Sequence, residues 1–137
     1  MKQLLLDLDS QILPSLTTFV VGQNAELAQL LGLFAQRTPS LYGERSVYIW
    51  GETGAGKTHL LHALADHPHS RYIPATAPEP AFEFSPDISL YLVDDCDQLN
   101  RLNQIAAFNL FNEARSRGAY FVAAGNHPPM ILNVRDD

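Results

Sequence analysis

The sequence predicts an α/β domain, a parallel sheet with helices on both faces in three layers. Three observations carry that prediction. Short apolar runs alternate with amphipathic stretches along the 137 residues. A glycine-rich turn, Gly51-Glu52-Thr53-Gly54-Ala55-Gly56, joins one apolar run directly to a helical pattern. A later run, Leu90-Tyr91-Leu92-Val93, ends in two carboxylates, Asp94-Asp95. Right-handed crossovers between parallel strands then bring the strand ends, and the loops that follow them, to one edge of the sheet.

The elements follow in chain order. Residues 1–16 are a leucine-rich leader that ends near Pro14 and is expected to be extended, ahead of a domain over residues 17–137. Thr18-Phe19-Val20-Val21-Gly22 is expected to be an apolar loop, and Asn24 the cap of a helix with Glu26 in its first turn. That helix carries Leu27, Leu30, Leu31 and Phe34 at helical spacing and stops near Thr38-Pro39. Ser46 to Trp50 is the first strand and runs straight into the glycine-rich turn. A helix from about Lys57 to Asp66, with Leu60, Leu61 and Leu64 on one face, leads to a second strand around Arg71 to Pro74. A proline-rich connection (Pro74, Pro78, Pro80, Pro86) precedes the third strand, Ser89 to Val93. A helix from about Asn103 to Arg117 is expected to bury Ile105, Ala106, Phe108 and Phe111, with Leu110 at the margin of that face. Gly118 ends it, and the fourth strand runs from Ala119 to Ala124.

Composition narrows the function classes. The chain is 46% hydrophobic and 18% charged, with a mean hydropathy near zero, as in ordinary globular domains. Nine basic against fifteen acidic residues give a net charge of -6, which argues against direct DNA binding, since phosphate contacts call for a basic face. The single cysteine, Cys96, excludes an internal disulfide and fits a small buried thiol in a reducing compartment. The N-terminal apolar run, Leu4 to Leu6, is broken by Asp7 and lacks a cleavage site, so it is not a secretory signal. No run is long enough to span a bilayer, and a cytoplasmic location is expected. His59, His62, His67 and His69 cluster in sequence, but without a closing ligand set they do not make a zinc site.

The chemistry lies in three segments. Gly51-Glu52-Thr53-Gly54-Ala55-Gly56-Lys57-Thr58 fits G-x-x-x-x-G-K-[ST] in full, with an apolar strand before it and an amphipathic helix after it. Glycines let backbone N–H groups turn inward around a phosphate, Lys57 brings a positive charge to the outer phosphates, and the Thr58 hydroxyl is suited to Mg²⁺. The helix starting at Lys57 points its positive end at the same anion. Asp94, at the end of a hydrophobic strand, is the candidate Mg²⁺ residue, and Asp95 the candidate for orienting an attacking water. By itself such an ending is a weak signal, because strands often end in solvated carboxylates. Asn126, in Ala123-Ala124-Gly125-Asn126-His127-Pro128-Pro129, would stand at the tip of the strand between the glycine-loop strand and the Asp94 strand. There it could touch a γ-phosphate, although Gly-Asn before two prolines is also an ordinary turn.

With these parts in this order the chain resembles the DnaA-related branch of AAA+ proteins, over essentially its whole length. Phe19-Val20-Val21-Gly22-Gln23-Asn24-Ala25-Glu26-Leu27 is similar to the entry segment of that branch, which implies that Val20 and Val21 line an adenine pocket. Tyr48-Ile49-Trp50 and Thr58-His59-Leu60-Leu61-His62-Ala63 look like its P-loop region. That places Gly51, Thr53, Gly54, Ala55, Gly56, Lys57, Thr58 and His59 at the cofactor, Thr58 and Asp94 at the metal, and Asp95 and Asn126 at the chemistry. The resemblance implies a three-layer P-loop NTPase fold of the AAA+/ASCE kind with ATP or ADP and Mg²⁺ as cofactors. It also implies that the chain is the front part of a larger protein, stopping before the arginine finger, a fifth strand and a helical lid. Arg135 does not align with the finger, so hydrolysis by this piece is expected to be weak or absent.

The leader sharpens the expectation. Gln3-Leu4-Leu5-Leu6-Asp7-Leu8 resembles the peptide with which regulators in this branch bind the sliding clamp (the DNA polymerase III β subunit), with Asp7 where that peptide usually has proline. Gln3 offers an amide, and Leu4, Leu6 and Leu8 can fill an apolar groove. The alternative is a tail that packs on its own domain. The resemblance thus implies a regulator that docks on the clamp and promotes hydrolysis of DnaA-bound ATP. Two other readings stay open, a DnaA-like initiator or helicase loader acting on DNA, and an adaptor whose nucleotide is never turned over. AAA+ sites commonly complete themselves between subunits, which leaves a homo-oligomer open as well.

Overall fold

A computed structural model describes residues 17–20, 25–38, 43, 45–51 and 56–127. The leader, with Gln3, Leu4, Leu6 and Leu8, lies outside the described residues, as do Val21, Thr53, Gly54 and Ala55. Five strands are present among the described residues: β1 (Thr17–Val20), β2 (Ser46–Trp50), β3 (Ser70–Ile73), β4 (Leu90–Val93) and β5 (Tyr120–Gly125). They form one sheet in the order β1-β2-β5-β4-β3, with every neighbouring pair parallel. The α-helices among the described residues are α1 (Ala25–Ala35), α2 (Lys57–Ala65) and α3 (Arg101–Arg117).

Side-chain alternation along the strands builds two cores. Val47 and Ile49 of β2, Leu90 and Leu92 of β4, and Tyr120, Val122 and Ala124 of β5 face one way. They meet Leu27, Leu30, Leu31 and Phe34 of α1 and Leu61 and Leu64 of α2. Tyr48, Tyr91, Val93, Phe121 and Ala123 point to the other face and meet Ala107, Leu110, Phe111 and Ala114 of α3. With both faces of β4 and β5 covered, every residue of these strands is buried, which explains why they read as continuous apolar runs.

Local chemistry sets the helix ends. Asn100 caps α3 by accepting a hydrogen bond from the Asn103 N–H at 2.8 Å, so the helix begins before the expected Asn103. Gly118 closes it with φ 76°, a left-handed conformation that suits glycine.

Two expectations are corrected. The segment expected to be an apolar loop from Thr18 contains a strand, with Thr17 opposite Val47 and Val20 opposite Trp50. The free edge of β2 supplies a ladder of unpaired amide and carbonyl groups, and a Thr-Thr-Phe-Val segment suits it. Ile105, expected in the core, is 41% exposed, whereas Leu110 is 2% exposed. The inward face of α3 follows Asn103, Ala107, Leu110, Phe111 and Ala114, and Ile105 falls beside it.

Candidate functional site

In a parallel sheet all strands end at one edge, and this strand order sets the ends of β2, β5 and β4 side by side. Gly51 follows β2, Asn126 follows β5 and Asp94 follows β4. The Gly51 N–H donates to the Gly125 carbonyl at 3.3 Å, extending the β2–β5 pairing past the strand end. A cavity of about 340 Å³ opens there, lined by Gly56, Lys57, Thr58, His59, Asp94, Asp95 and Asn126. Its size lies within the range of small-ligand sites.

Gly56 caps α2 with φ 96°, a left-handed turn that a side chain would strain, and so aims the helix N-terminus at the cavity. Lys57 is buried, and its ammonium donates to the Gly51 carbonyl at 2.7 Å, across the mouth of the loop. Thr58 and His59, on the first turn of α2, are exposed.

The two carboxylates that look alike in sequence are held very differently. Asp94 is 4% exposed; its Oδ1 accepts the Asp95 N–H at 2.8 Å and its Oδ2 accepts the Tyr72 hydroxyl at 2.6 Å. Asp95 is exposed and sits at φ 52°, a conformation costly for a residue with a side chain. Tyr72, on the neighbouring β3, is stacked on His62 of α2 with ring centroids 4.2 Å apart. Burial first, and then the bond to Asp94, push the Tyr72 hydroxyl above the ordinary phenol value, so it is a donor at neutral pH. Cys96 lies behind the carboxylates, 4% exposed, with its thiol pushed up by burial, which makes it an inert packing residue.

Asn126 is half-buried and borders the cavity. Its N–H donates to Oδ2 of Asp97 at 2.6 Å, while the Tyr48 hydroxyl donates to the His127 carbonyl at 2.7 Å. The structure thus brings together Gly51, Gly56, Lys57, Thr58, His59, Asp94, Asp95 and Asn126 from the sequence-derived set. Val20 ends β1, beside Trp50. The sequence reading missed Tyr72 and Asp97. Neither belongs to a recognisable motif: Tyr72 meets Asp94 because β3 lies beside β4, and Asp97, in the turn after β4, meets Asn126 because β5 lies beside β4.

The fold defines a class, the three-layer α/β domains of the P-loop NTPase kind. The chain belongs to the AAA ATPase domain family, which matches residues 20–120. It is an AAA+ domain related to the replication initiator DnaA. Over 56 residues it is 43% identical to the chromosomal replication initiator protein DnaA of Bdellovibrio bacteriovorus, a match covering 41% of this chain and 12% of that protein. Over 145 residues it is 27% identical to DnaA of Leifsonia xyli subsp. xyli, covering 90% of this chain and 30% of the relative. The chain therefore spans under a third of the curated relatives it matches. The structure of AMPPCP-bound DnaA from Aquifex aeolicus superposes with a TM-score of 0.65 at 24% identity, over 85% of this chain and 43% of that one, a likeness of fold. A Neisseria meningitidis protein solved in solution matches at a TM-score of 0.54 and 28% identity, over 83% of this chain and 74% of that one. No helix among the described residues is long and apolar enough to cross a membrane.

Proposed function

We propose that this chain is the nucleotide-binding module of a regulator of replication initiation, taking ATP or ADP with Mg²⁺ in the cavity at the C-terminal edge of the sheet. One observation carries the reading. Lys57, Thr58, Asp94, Asp95 and Asn126 come from three separate segments and face one cavity of about 340 Å³. Lys57 would leave the Gly51 carbonyl to meet the outer phosphates, and the N-terminus of α2 would add its dipole. Thr58 and Asp94 are hard oxygen donors that fit Mg²⁺, which takes few protein ligands and keeps several waters. When bound, the ion would offset negative charge on the phosphates. Asp95, exposed to the cavity, would orient a water toward the γ-phosphate, with Asn126 contacting that phosphate. Gly51, Thr53, Gly54, Ala55 and Gly56 would wrap the phosphates, with His59 beside them and Val20 and Val21 at the base.

The finer reading is an Hda-like module. It would bind the sliding clamp through Gln3, Leu4, Leu6 and Leu8 and promote hydrolysis of DnaA-bound ATP. Titration of the chain with sliding clamp, wild type against Gln3→Ala plus Leu4→Ala, tests it. Saturable binding that the double variant loses supports the regulator, and no binding by the wild type removes it. A second reading, a DnaA-like initiator or loader acting on DNA, is favoured by one comparison. DnaA bound to AMPPCP and single-stranded DNA superposes with a TM-score of 0.65, though at 23% identity. A salt-dependent shift of single-stranded DNA by this chain would support that reading over the first.

A further inference from the structure

The exit of the central strand β5 is gripped from both sides. From β2, the Tyr48 hydroxyl donates to the His127 carbonyl at 2.7 Å. From the short turn after β4 (Cys96–Gln98), Oδ2 of Asp97 accepts the Asn126 N–H at 2.6 Å and lies 3.2 Å from Nδ1 of His127. Gly125 is what permits the approach. A Cβ built there would collide with the Tyr48 hydroxyl oxygen and sit 3.1 Å from Oδ1 of Asp97. The Asp97 side chain is 9% exposed, and its Oδ1 is buried with no hydrogen-bond partner among the described residues.

A buried carboxylate with one orphaned oxygen is a poor stabiliser and calls for another explanation. The turn that carries Asp97 is locked to Asp95, whose carbonyl accepts the Gln98 N–H at 2.8 Å. One turn and one carboxylate therefore connect Asp95 to the backbone of Asn126.

We propose that Asp97 is a positioning residue that fixes Asn126 relative to Asp95, so that the two side chains read a γ-phosphate as one unit. The proposal rests on the nucleotide reading above and adds to it a residue that touches no nucleotide. Its chemistry requires an acceptor at position 97 rather than a negative charge. Asp97→Asn keeps an acceptor oxygen for the Asn126 N–H, and Asp97→Ala removes it. The group that senses a γ-phosphate matters for a triphosphate and little for ADP, so the loss is expected to fall on one ligand.

The test uses the whole 137-residue chain and two readouts. Affinities for AMPPCP and for ADP, both with Mg²⁺, are measured by calorimetry for wild type, Asp97→Ala and Asp97→Asn. Asp97→Ala is expected to weaken AMPPCP about 5- to 10-fold, the order expected from one hydrogen bond, with ADP changed less than about 2-fold, and Asp97→Asn to restore the wild-type ratio. In ¹H–¹⁵N spectra of the ligand-free chain, the Asn126 amide is expected downfield and slow to exchange in wild type and Asp97→Asn, and upfield and fast in Asp97→Ala. If Asp97→Ala weakens both nucleotides equally, or neither, the proposal is overturned. Should the wild type bind neither nucleotide, the functional reading itself fails, and an Asn126 amide unmoved by Asp97→Ala overturns the Asp97–Asn126 link independently. If Asp97→Ala does not fold, the Asp97→Asn ratio decides: a wild-type ratio supports an acceptor role, and a lost preference for AMPPCP overturns it.

Discussion

The two edges of the sheet handle their polar groups in opposite ways. At the edge where the strands begin, Arg37 knots the fold. Its guanidinium donates to the carbonyls of Phe34 and Ala35 at 3.1 and 2.8 Å, of Pro68 and His69 at 2.6 and 3.3 Å, and to the hydroxyls of Ser89 and Ser70 at 2.6 and 3.1 Å. The last turn of α1 and the starts of β3 and β4 are thereby tied together. The partners are neutral, but Phe34 and Ala35 are carbonyls at a helix C-terminus, where a cation is favoured. Burial lowers the pKa of Arg37, the price of six ordered partners at a left-handed φ of 55°. At the edge where the strands end, Asp95, Thr58 and His59 are open to the cavity, and one oxygen of Asp97 has no hydrogen-bond partner among the described residues. One edge directs its donors and acceptors into the protein for cohesion. The other leaves charged groups open to a cavity, so stability and the proposed binding should separate under mutation.

The largest effect expected is on stability at the first edge. Arg37→Met should cost about 3 kcal/mol of unfolding free energy, because it removes at once the six hydrogen bonds that tie the end of α1 to the starts of β3 and β4. Nucleotide affinity measured on the folded fraction should be unchanged, and an equal loss there would break the contrast. Next comes Lys57→Ala, which removes the charge proposed to meet the phosphates. A loss of about 50-fold in ADP affinity is expected, about 2.3 kcal/mol, with thermal stability changed far less.

Tyr72→Phe sharpens the comparison, since this hydroxyl belongs to the site yet bonds within the protein. About 1 kcal/mol should be lost at neutral pH, read from denaturant unfolding. The pH dependence has a definite sign. Folding raises the Tyr72 pKa, so the contribution is whole below the unfolded value near pH 10 and is lost as pH rises above it. The gap between wild type and Tyr72→Phe should therefore narrow at alkaline pH, and a widening gap would contradict the assignment. The smallest effect belongs to neither edge. The Arg117–Glu113 pair, 2.9 Å apart on the outside of α3 with both side chains well exposed, should be worth under about 0.5 kcal/mol in a double-mutant cycle.

What the sequence determined by itself is local. The glycine-loop strand and its helix are legible because an apolar run, a glycine turn and a period of 3.6 follow one another within a short stretch. Asp94 and Asp95 are legible as candidates because a hydrophobic strand must end somewhere, and these end it with two charges. Asn126 follows the strand that stands between β2 and β4, as expected, but handedness only brings the strand ends to one edge and does not fix that order. The rest needed the tertiary structure. Thr17–Val20 is too short to declare itself a strand, and only the open edge of β2 makes it one. Ile105 and Leu110 sit five residues apart on one helix, and which of them is buried depends on how α3 rolls onto the sheet. Arg37, Tyr72 and Asp97 carry no motif at all. Each bonds to residues more than twenty positions away, so their roles exist only once parallel strands stand side by side.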